Sequence, residues 1–477
     1  MRTVKKVVSL SAPPLIYVLF CAVGGGGDLA LAFSTAKLVK AYGFRVCFIE
    51  NTISFFAAQR TDVLSKLNAS HPDIPVFTHE TVPDSYKNPR LAICLPVIQN
   101  ENMWAQICKK TLLHGTHVPI LPIQMNCDSF YLPPGGVALG FGLDASGKKS
   151  IGFSFKPSNV EPPTHESFLR SQPIVLENLD NEWLKSLLGD DVNSQAFLFI
   201  YNHLHFNSVR ELLVMLSALS KDPRDVTAVL KTYDYSDKVQ IPTSLLRSYD
   251  FDLKFFDQLA WYREILSGLG ISKVVFSSPG QDDREFEVSG SGKIVHLLDP
   301  FPLASQDFAT LSESSIAIAG CTGLNSFADA ISSRKLPLYE VLWENRKLWK
   351  DFCVEAKQFD PEKSGLAKYF ELLDSLVKHV PYGRVNLLPP VGPSGFRPSG
   401  YREQVPAGAG GDDSSVEDIQ KAHDSMLQIG EILRSPEIWS QWQRFSDYLI
   451  TERNANKYIL DMLTSHLQVS LDERVDL

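Results

Sequence analysis

Asp28 directly follows four glycines, Gly24, Gly25, Gly26 and Gly27. Glycines let backbone approach a ligand, and a helix that starts there presents N–H groups with no intrahelical partner. A carboxylate at the carboxyl end of a strand can serve as a general base. The same acid is equally a helix cap favoured by the dipole. The second informative stretch is 301–342. There Gln306 and Asp307 precede a helix, the strand IAIAG ends in the turn Cys321-Thr322-Gly323, and a new helix starts near Asn325 and Ser326. Helix N–H groups with the Thr322 and Ser326 hydroxyls suit a diphosphate, and the same residues are good caps. Two metal patterns are weaker. Asp250-Phe-Asp252 follows a polar segment and not a buried strand, and His203-x-His205 has no third ligand at useful spacing. No metal site is expected.

The elements that must position these residues come in two series. Residues 15–23 are a continuous apolar run, and helical spacing begins after Asp28 with Leu29, Ala32, Phe33, Ala36, Leu38 and Val39. A buried run, a glycine loop and an amphipathic helix form the first β–loop–α unit of a parallel sheet. Strands are expected at 44–50, 90–98 and 117–125, and helices at 53–67 and 101–114. A second series opens with the strand AFLFIY, 196–201, and a helix at 209–219. Strands at 227–233, 272–277, 293–298, 314–319 and 336–342 follow, with helices at 256–269 and 324–333. The expected domains are 1–160, a linker 161–193, 194–380, a Pro/Gly-rich loop 381–415, and C-terminal helices 416–477. The loop holds six prolines and seven glycines within 381–411. Trp439, Trp442, Phe445 and Tyr448 form an aromatic stripe that reads as packing.

Composition narrows the classes. The chain has 477 residues, 44% hydrophobic and 21% charged, enough for two or three domains. A net charge of −9 argues against bulk nucleic-acid binding, which needs basic surface. Seven cysteines without a CxxC pair read as thiols in a reducing compartment. Arg2, Lys5 and Lys6 before an apolar run resemble a signal peptide, but Pro13, Pro14 and Asp28 do not fit one, so a cytoplasmic location is expected. No apolar run approaches the ~20 residues of a membrane span. The glycine loop lacks GKS/T and strict GxGxxG, so neither a P-loop nor NAD is indicated.

The stretch from strand IAIAG through Gly323-Leu324-Asn325-Ser326 resembles the donor-diphosphate helix of GT-B glycosyltransferases, MurG-like enzymes among them. Residues 15–350 resemble, more narrowly, the EarP family of protein-arginine rhamnosyltransferases that modify elongation factor P. FCAVGGGGDL is similar to that family's FCxVxDNxGDI, which sets Asp28 on its proposed base. Phe199-Ile200-Tyr201-Asn202 is similar to its nucleotide-contacting FxYE strand, and Gln306-Asp307 with Gly323-Leu324-Asn325-Ser326-Phe327 to its PQxD and RGEDSF. The departures are Gly24 for the family's first aspartate, Leu324 for its glutamate and Thr322 for its arginine. The resemblance implies two facing Rossmann-like α/β domains (GT-B) with a C-terminal helical extension. It implies a metal-independent, inverting glycosyltransferase with a nucleotide-sugar co-substrate, no further cofactor, and a protein side chain, arginine, as acceptor. Asp28 would be the base, and Phe199, Tyr201, Gln306, Asp307, Thr322, Gly323, Asn325 and Ser326 would bind the donor. A catalytically silent relative acting as a binding module and a nucleotide-sugar epimerase are the alternatives.

Overall fold

The computed structural model describes residues 13–20, 26–50, 73–95, 98, 100–114, 118–126, 131–156, 160–189, 194–202, 205–231, 259, 262–341, 345–361, 364–379 and 416–467. The helix expected at 53–67 lies outside these residues, as do Gly24, Gly25, His203, Asp250, Asp252 and the loop 381–415. The chain forms two compact units, Met1–Pro157 with Thr451–Leu477, and Ser158–Ile450.

The first unit contains β1 (Leu15–Phe20), α1 (Gly26–Ala41), β2 (Arg45–Glu50), β3 (Val76–Thr78), β4 (Leu91–Cys94), α2 (Glu101–Leu112), β5 (Ile120–Met125) and β6 (Val137–Leu139). Its sheet runs β3-β2-β1-β4-β5-β6, and every pairing is parallel. The apolar run reads as a fully buried strand, and all six residues of β1 are buried. Alternate side chains go to opposite faces. Ile16, Val18 and Phe20 pack with Ala32, Ala36 and Val39 of α1, while Leu15, Tyr17 and Leu19 pack with Ile107 of α2.

The second unit contains α3 (Glu182–Leu187), β7 (Ala196–Ile200), α4 (His205–Ala218), β8 (Val226–Leu230), α5 (Arg263–Gly268), β9 (Ile271–Ser277), β10 (Arg284–Glu287), β11 (Lys293–Leu298), α6 (Ser305–Ser314), β12 (Ile318–Thr322), α7 (Gly323–Ser332), β13 (Leu336–Glu340), α8 (Arg346–Phe359), α9 (Ser364–His379), α10 (Val416–Leu433) and most of α11 (Pro436–Glu452). The strand order is β10-β9-β11-β8-β7-β12-β13, parallel except for β10. Ile174, Leu179, Leu184 and Leu188, from the segment expected as a linker, pack in this unit's core against Phe197 and Phe199. The last helix, α12 (Ala455–Leu467), belongs to the first unit, where Ile459, Leu460 and Leu463 share a core with α1. Trp439, Trp442 and Phe445 are buried in the second unit.

One strand is displaced from its expected place. Residues 314–319 read as a strand, but α6 continues to Ser314 and β12 begins at Ile318. The buried Lys335 ammonium holds the link, donating to the carbonyls of Ser315 (2.5 Å) and Ile316 (3.1 Å) and to the Ser315 hydroxyl (2.8 Å). Strand β12 runs on through Cys321 and Thr322, which were expected as turn.

The first unit also buries His79 and His114 with Nδ1 and Nε2 3.2 Å apart. Burial lowers His79 to about 4, helped by His114 and Lys110, with Glu80 opposing. Burial, then Lys87, lowers His114, with Glu80 again opposing. The folded state therefore holds the pair neutral, while the unfolded chain takes up protons below about pH 6.5. Stability is present above that pH and is lost as pH falls toward 4. Thermal unfolding at pH 7 and pH 5 should show a smaller acid-induced drop in His79→Gln than in the native chain. An equal drop would remove the pair from the acid response.

Candidate functional site

Ligands of doubly wound sheets bind outside the carboxyl ends of the strands, where the strand order reverses. In the second unit the chain leaves β7 toward β8, β11 and β9, then returns to β12 on the other side of β7. The reversal therefore lies between β7 and β12. The N-terminus of α4 follows β7, and that of α7 follows β12. The two strand ends are joined by Tyr201 N–H donating to Gly320 C=O at 3.1 Å.

Strand β12 passes into α7 without an intervening turn. Gly323 makes the reversal alone, with φ of +69° and open space where a Cβ would lie. Thr322 is the N-cap, yet its side chain caps no amide, and its buried hydroxyl has no hydrogen-bond partner. Ser326 is engaged internally: its Oγ accepts from Thr322 N–H at 3.0 Å and donates to Thr322 C=O. This closes the turn and removes the Ser326 hydroxyl from the set of groups open to a ligand. Gly323, Leu324 and Asn325 are partly exposed. The first backbone N–H groups of a helix lack intrahelical acceptors and carry the positive end of the dipole. Amide donors at the positive end of a helix dipole are groups that suit an anion.

Aromatic rings stand beside it. Tyr201, the first residue after β7, stacks on Phe301 at 5.9 Å and meets Phe308 edge-on at 5.0 Å. Phe308 belongs to α6, whose first turn also carries the exposed Gln306. Thus Tyr201, Gln306 and the start of α7 gather at the carboxyl edge of one sheet. Two other expected donor residues sit differently. Phe199 is 2% exposed and packs edge-on against Phe308 in the core. Asp307 is also 2% exposed, and its Oδ1 accepts the Asp180 N–H at 2.5 Å. That bond ties α6 to the segment before α3.

In the first unit the strand order reverses between β1 and β4. Helix α1, which follows β1, includes Gly26, Gly27 and Asp28 in its first turn. Asp28 thus belongs to the helix start at that unit's own reversal.

Sequence reasoning passed over a polar group under the β7–β12 edge. Asn202, Arg210, Glu211 and Glu340 are all buried in the second unit. The available signal was the run Asn207-Ser208-Val209-Arg210-Glu211, whose five consecutive residues go right round a helix and so cannot all turn to solvent on one face. Among the described residues no group of three or more His, Cys, Asp or Glu side chains is placed to hold a metal ion, and no helix is long and apolar enough to cross a membrane.

No family model matches the chain, and no curated protein matches it. Solved structures do resemble it. LpCGTa in complex with UDP shares 13% identity at a TM-score of 0.43, covering 96% of this chain and 100% of that one. Anabaena Alr3699/HepE in complex with UDP-glucose shares 12% at 0.39, covering 95% and 100%. A putative UDP-N-acetylglucosamine 2-epimerase from Listeria monocytogenes shares 10% at 0.39, covering 98% and 100%. With TM-scores this low, the fold description rests on this chain's own strand orders: two parallel-sheet α/β units and a helical C-terminal region.

The Asp307 geometry separates a structural acid from a ligand-binding one. Asp307→Ala should lower stability by about 1 kcal/mol, read by thermal unfolding, and leave nucleotide affinity unchanged. Lost affinity at unchanged stability would reverse that assignment.

Proposed function

We propose that this chain is a GT-B glycosyltransferase that takes its sugar from a nucleoside diphosphate donor held on the second unit. The observation that supports this most directly is the start of α7: a helix with no side-chain cap, opened by a positive-φ glycine beside the buried, unpartnered Thr322 hydroxyl. Such an end stabilises the charge that builds on a departing diphosphate through fixed amide dipoles, without a metal. Tyr201 and Gln306 would take the nucleoside.

The reaction is an inverting displacement. The acceptor attacks the anomeric carbon as the bond from that carbon to the diphosphate oxygen breaks, and a base removes the acceptor's proton. Asp28 is that base in this reading, on the strength of its place after the glycine loop and the EarP resemblance. The same resemblance makes the acceptor a protein side chain, an arginine guanidinium. Gly24, Leu324 and Thr322 depart from the residues of that family. They favour a second reading, a sugar-nucleotide-binding module without turnover.

A bound diphosphate stabilises the fold by preferential binding. At a hundredfold excess over Kd the gain is about 2.7 kcal/mol. UDP, GDP or dTDP should therefore raise the thermal midpoint by several degrees, and a flat response to all three would remove the donor site. Asp28→Asn should reduce turnover by about 10²–10⁴-fold with nucleotide affinity retained. Parallel loss of affinity and turnover would return Asp28 to a helix cap, and no turnover by the native chain with any nucleotide sugar would favour the binding module.

A further inference from the structure

Helix α4 carries charge into the interior of the second unit. Every residue from Asn207 to Ala218 is buried, Arg210 at 5% and Glu211 at 2% exposure. Their closest charged atoms are 3.8 Å apart, too far for a tight pair. A second acid, Glu340 at the end of β13, is 0% exposed and accepts the Asn207 Nδ2–H at 2.7 Å. Two carboxyls therefore share one nearby guanidinium away from water.

The Glu211 carboxyl has a seat made for it. A Cβ built at Gly320 would fall 2.4 Å from Glu211 Oε2 and 2.8 Å from Ile200 Cγ2. The carboxyl thus lies on the bare backbone of β12 where β12 pairs with β7. Thr322 follows Gly320 by two residues and registers with Glu340, so by strand alternation all three share the face that α4 covers. Asn202, the second residue after β7, is wholly buried and neighbours Glu211 without a well-aligned hydrogen bond.

We propose that Glu211 is a positioning residue for the diphosphate site: its carboxyl, seated on Gly320 between Asn202 and the end of β12, acts by packing, with neither oxygen in a formed hydrogen bond, and sets the end of β7 against the junction of β12 and α7. This fixes Thr322 and the first amides of α7 at the spacing a diphosphate requires, and so rests on the donor-site reading above. The carboxyl does this as the neutral acid. Burial raises its pKa well above the ordinary 4.5; Arg210 opposes, Glu340 adds to the rise, and Asn202 opposes. The charge of the same acid also reaches Cys321, on the other face of β12, and Tyr369 on α9, and that of Arg210 is coupled to Tyr262. A raised acid contributes stability that is full below its unfolded value and lost as pH rises through its folded value. Ionisation would place an unbalanced charge under the ends of β7 and β12.

The test uses the full chain, Glu211→Gln and Glu211→Ala. It measures affinity for UDP, GDP and dTDP across pH, thermal stability without nucleotide, and amide exchange over 197–202 and 318–326. The native chain should lose affinity and stability as pH rises, and Glu211→Gln should lose neither to the same extent. Glu211→Ala should bind about tenfold more weakly at low and neutral pH and exchange faster in those two stretches than elsewhere in the unit. A folded Glu211→Ala that binds as the native chain does, or that loosens evenly throughout the unit, overturns the proposal. So does a Glu211→Gln that follows the native pH course, the deciding result if the alanine variant does not fold. If the native chain binds none of the three nucleotides, the glycosyltransferase reading fails. Stability against pH and amide exchange without ligand then still decide whether Glu211 sets the end of β7 against the start of α7.

Discussion

Helix α4 is enclosed on all sides from Asn207 to Ala218, and the second unit's site follows from how that enclosure is tolerated. An enclosed helix can be apolar all round, or its polar groups must find partners inside the protein. The C-terminal half of α4 takes the first course with Leu212, Leu213, Val214, Met215 and Leu216. Its N-terminal half takes the second, with Asn207 donating to Glu340 and Arg210 near Glu211. On the sheet side the strand must come close, and Gly320 is where it does. Any larger residue there would meet both Glu211 and Ile200. The polar half of α4 and the carboxyl ends of β7, β12 and β13 are thus one packing problem.

The electrostatics of that edge follow from backbone more than from side chains. The parallel arrangement puts the ends of β7, β11 and β12 on one side of the sheet, each followed by a helix start. Helix dipoles there point the same way and favour negative charge. At the start of α7 Ser326 folds back on Thr322 and no side chain caps the first amides, as none caps those of α6. The aromatic group Tyr201, Phe301 and Phe308 provides flat apolar surface beside it.

Much of this was legible from residue order. The run IYVLF, the glycines and the helical spacing after Asp28 give the first β–α unit, and AFLFIY with IAIAG locate the two strands that flank the second unit's reversal. The helix near Asn325 and Ser326 was legible from capping residues, although it starts at Gly323. The resemblance of Phe199-Ile200-Tyr201-Asn202 and Gln306-Asp307 to EarP motifs assigns Asp307 and Phe199 to the donor. In the structure one holds the Asp180 amide and the other fills the core. Proximity in sequence says that a residue is near an edge, not which way its side chain turns. The displaced start of β12 has the same origin, since Lys335, some twenty residues away, holds the carbonyls of Ser315 and Ile316.

By itself the sequence determined the alternation of strands and helices, and hence two parallel sheets with helix starts at their carboxyl edges. Hydrophobic period and glycine placement are local properties that neighbouring residues express together. Only the tertiary structure decided that residues 174–188 pack into a core instead of linking domains, and that the last helix joins the first unit. It alone decided that Arg210, Glu211 and Glu340 lie inside the protein. A polar run on a helix reads as solvent-facing until a second layer covers it, and that layer comes from strands and helices distant in the chain. Long-range packing sets the cost of a buried charge, and so it decides which acids carry chemical consequence.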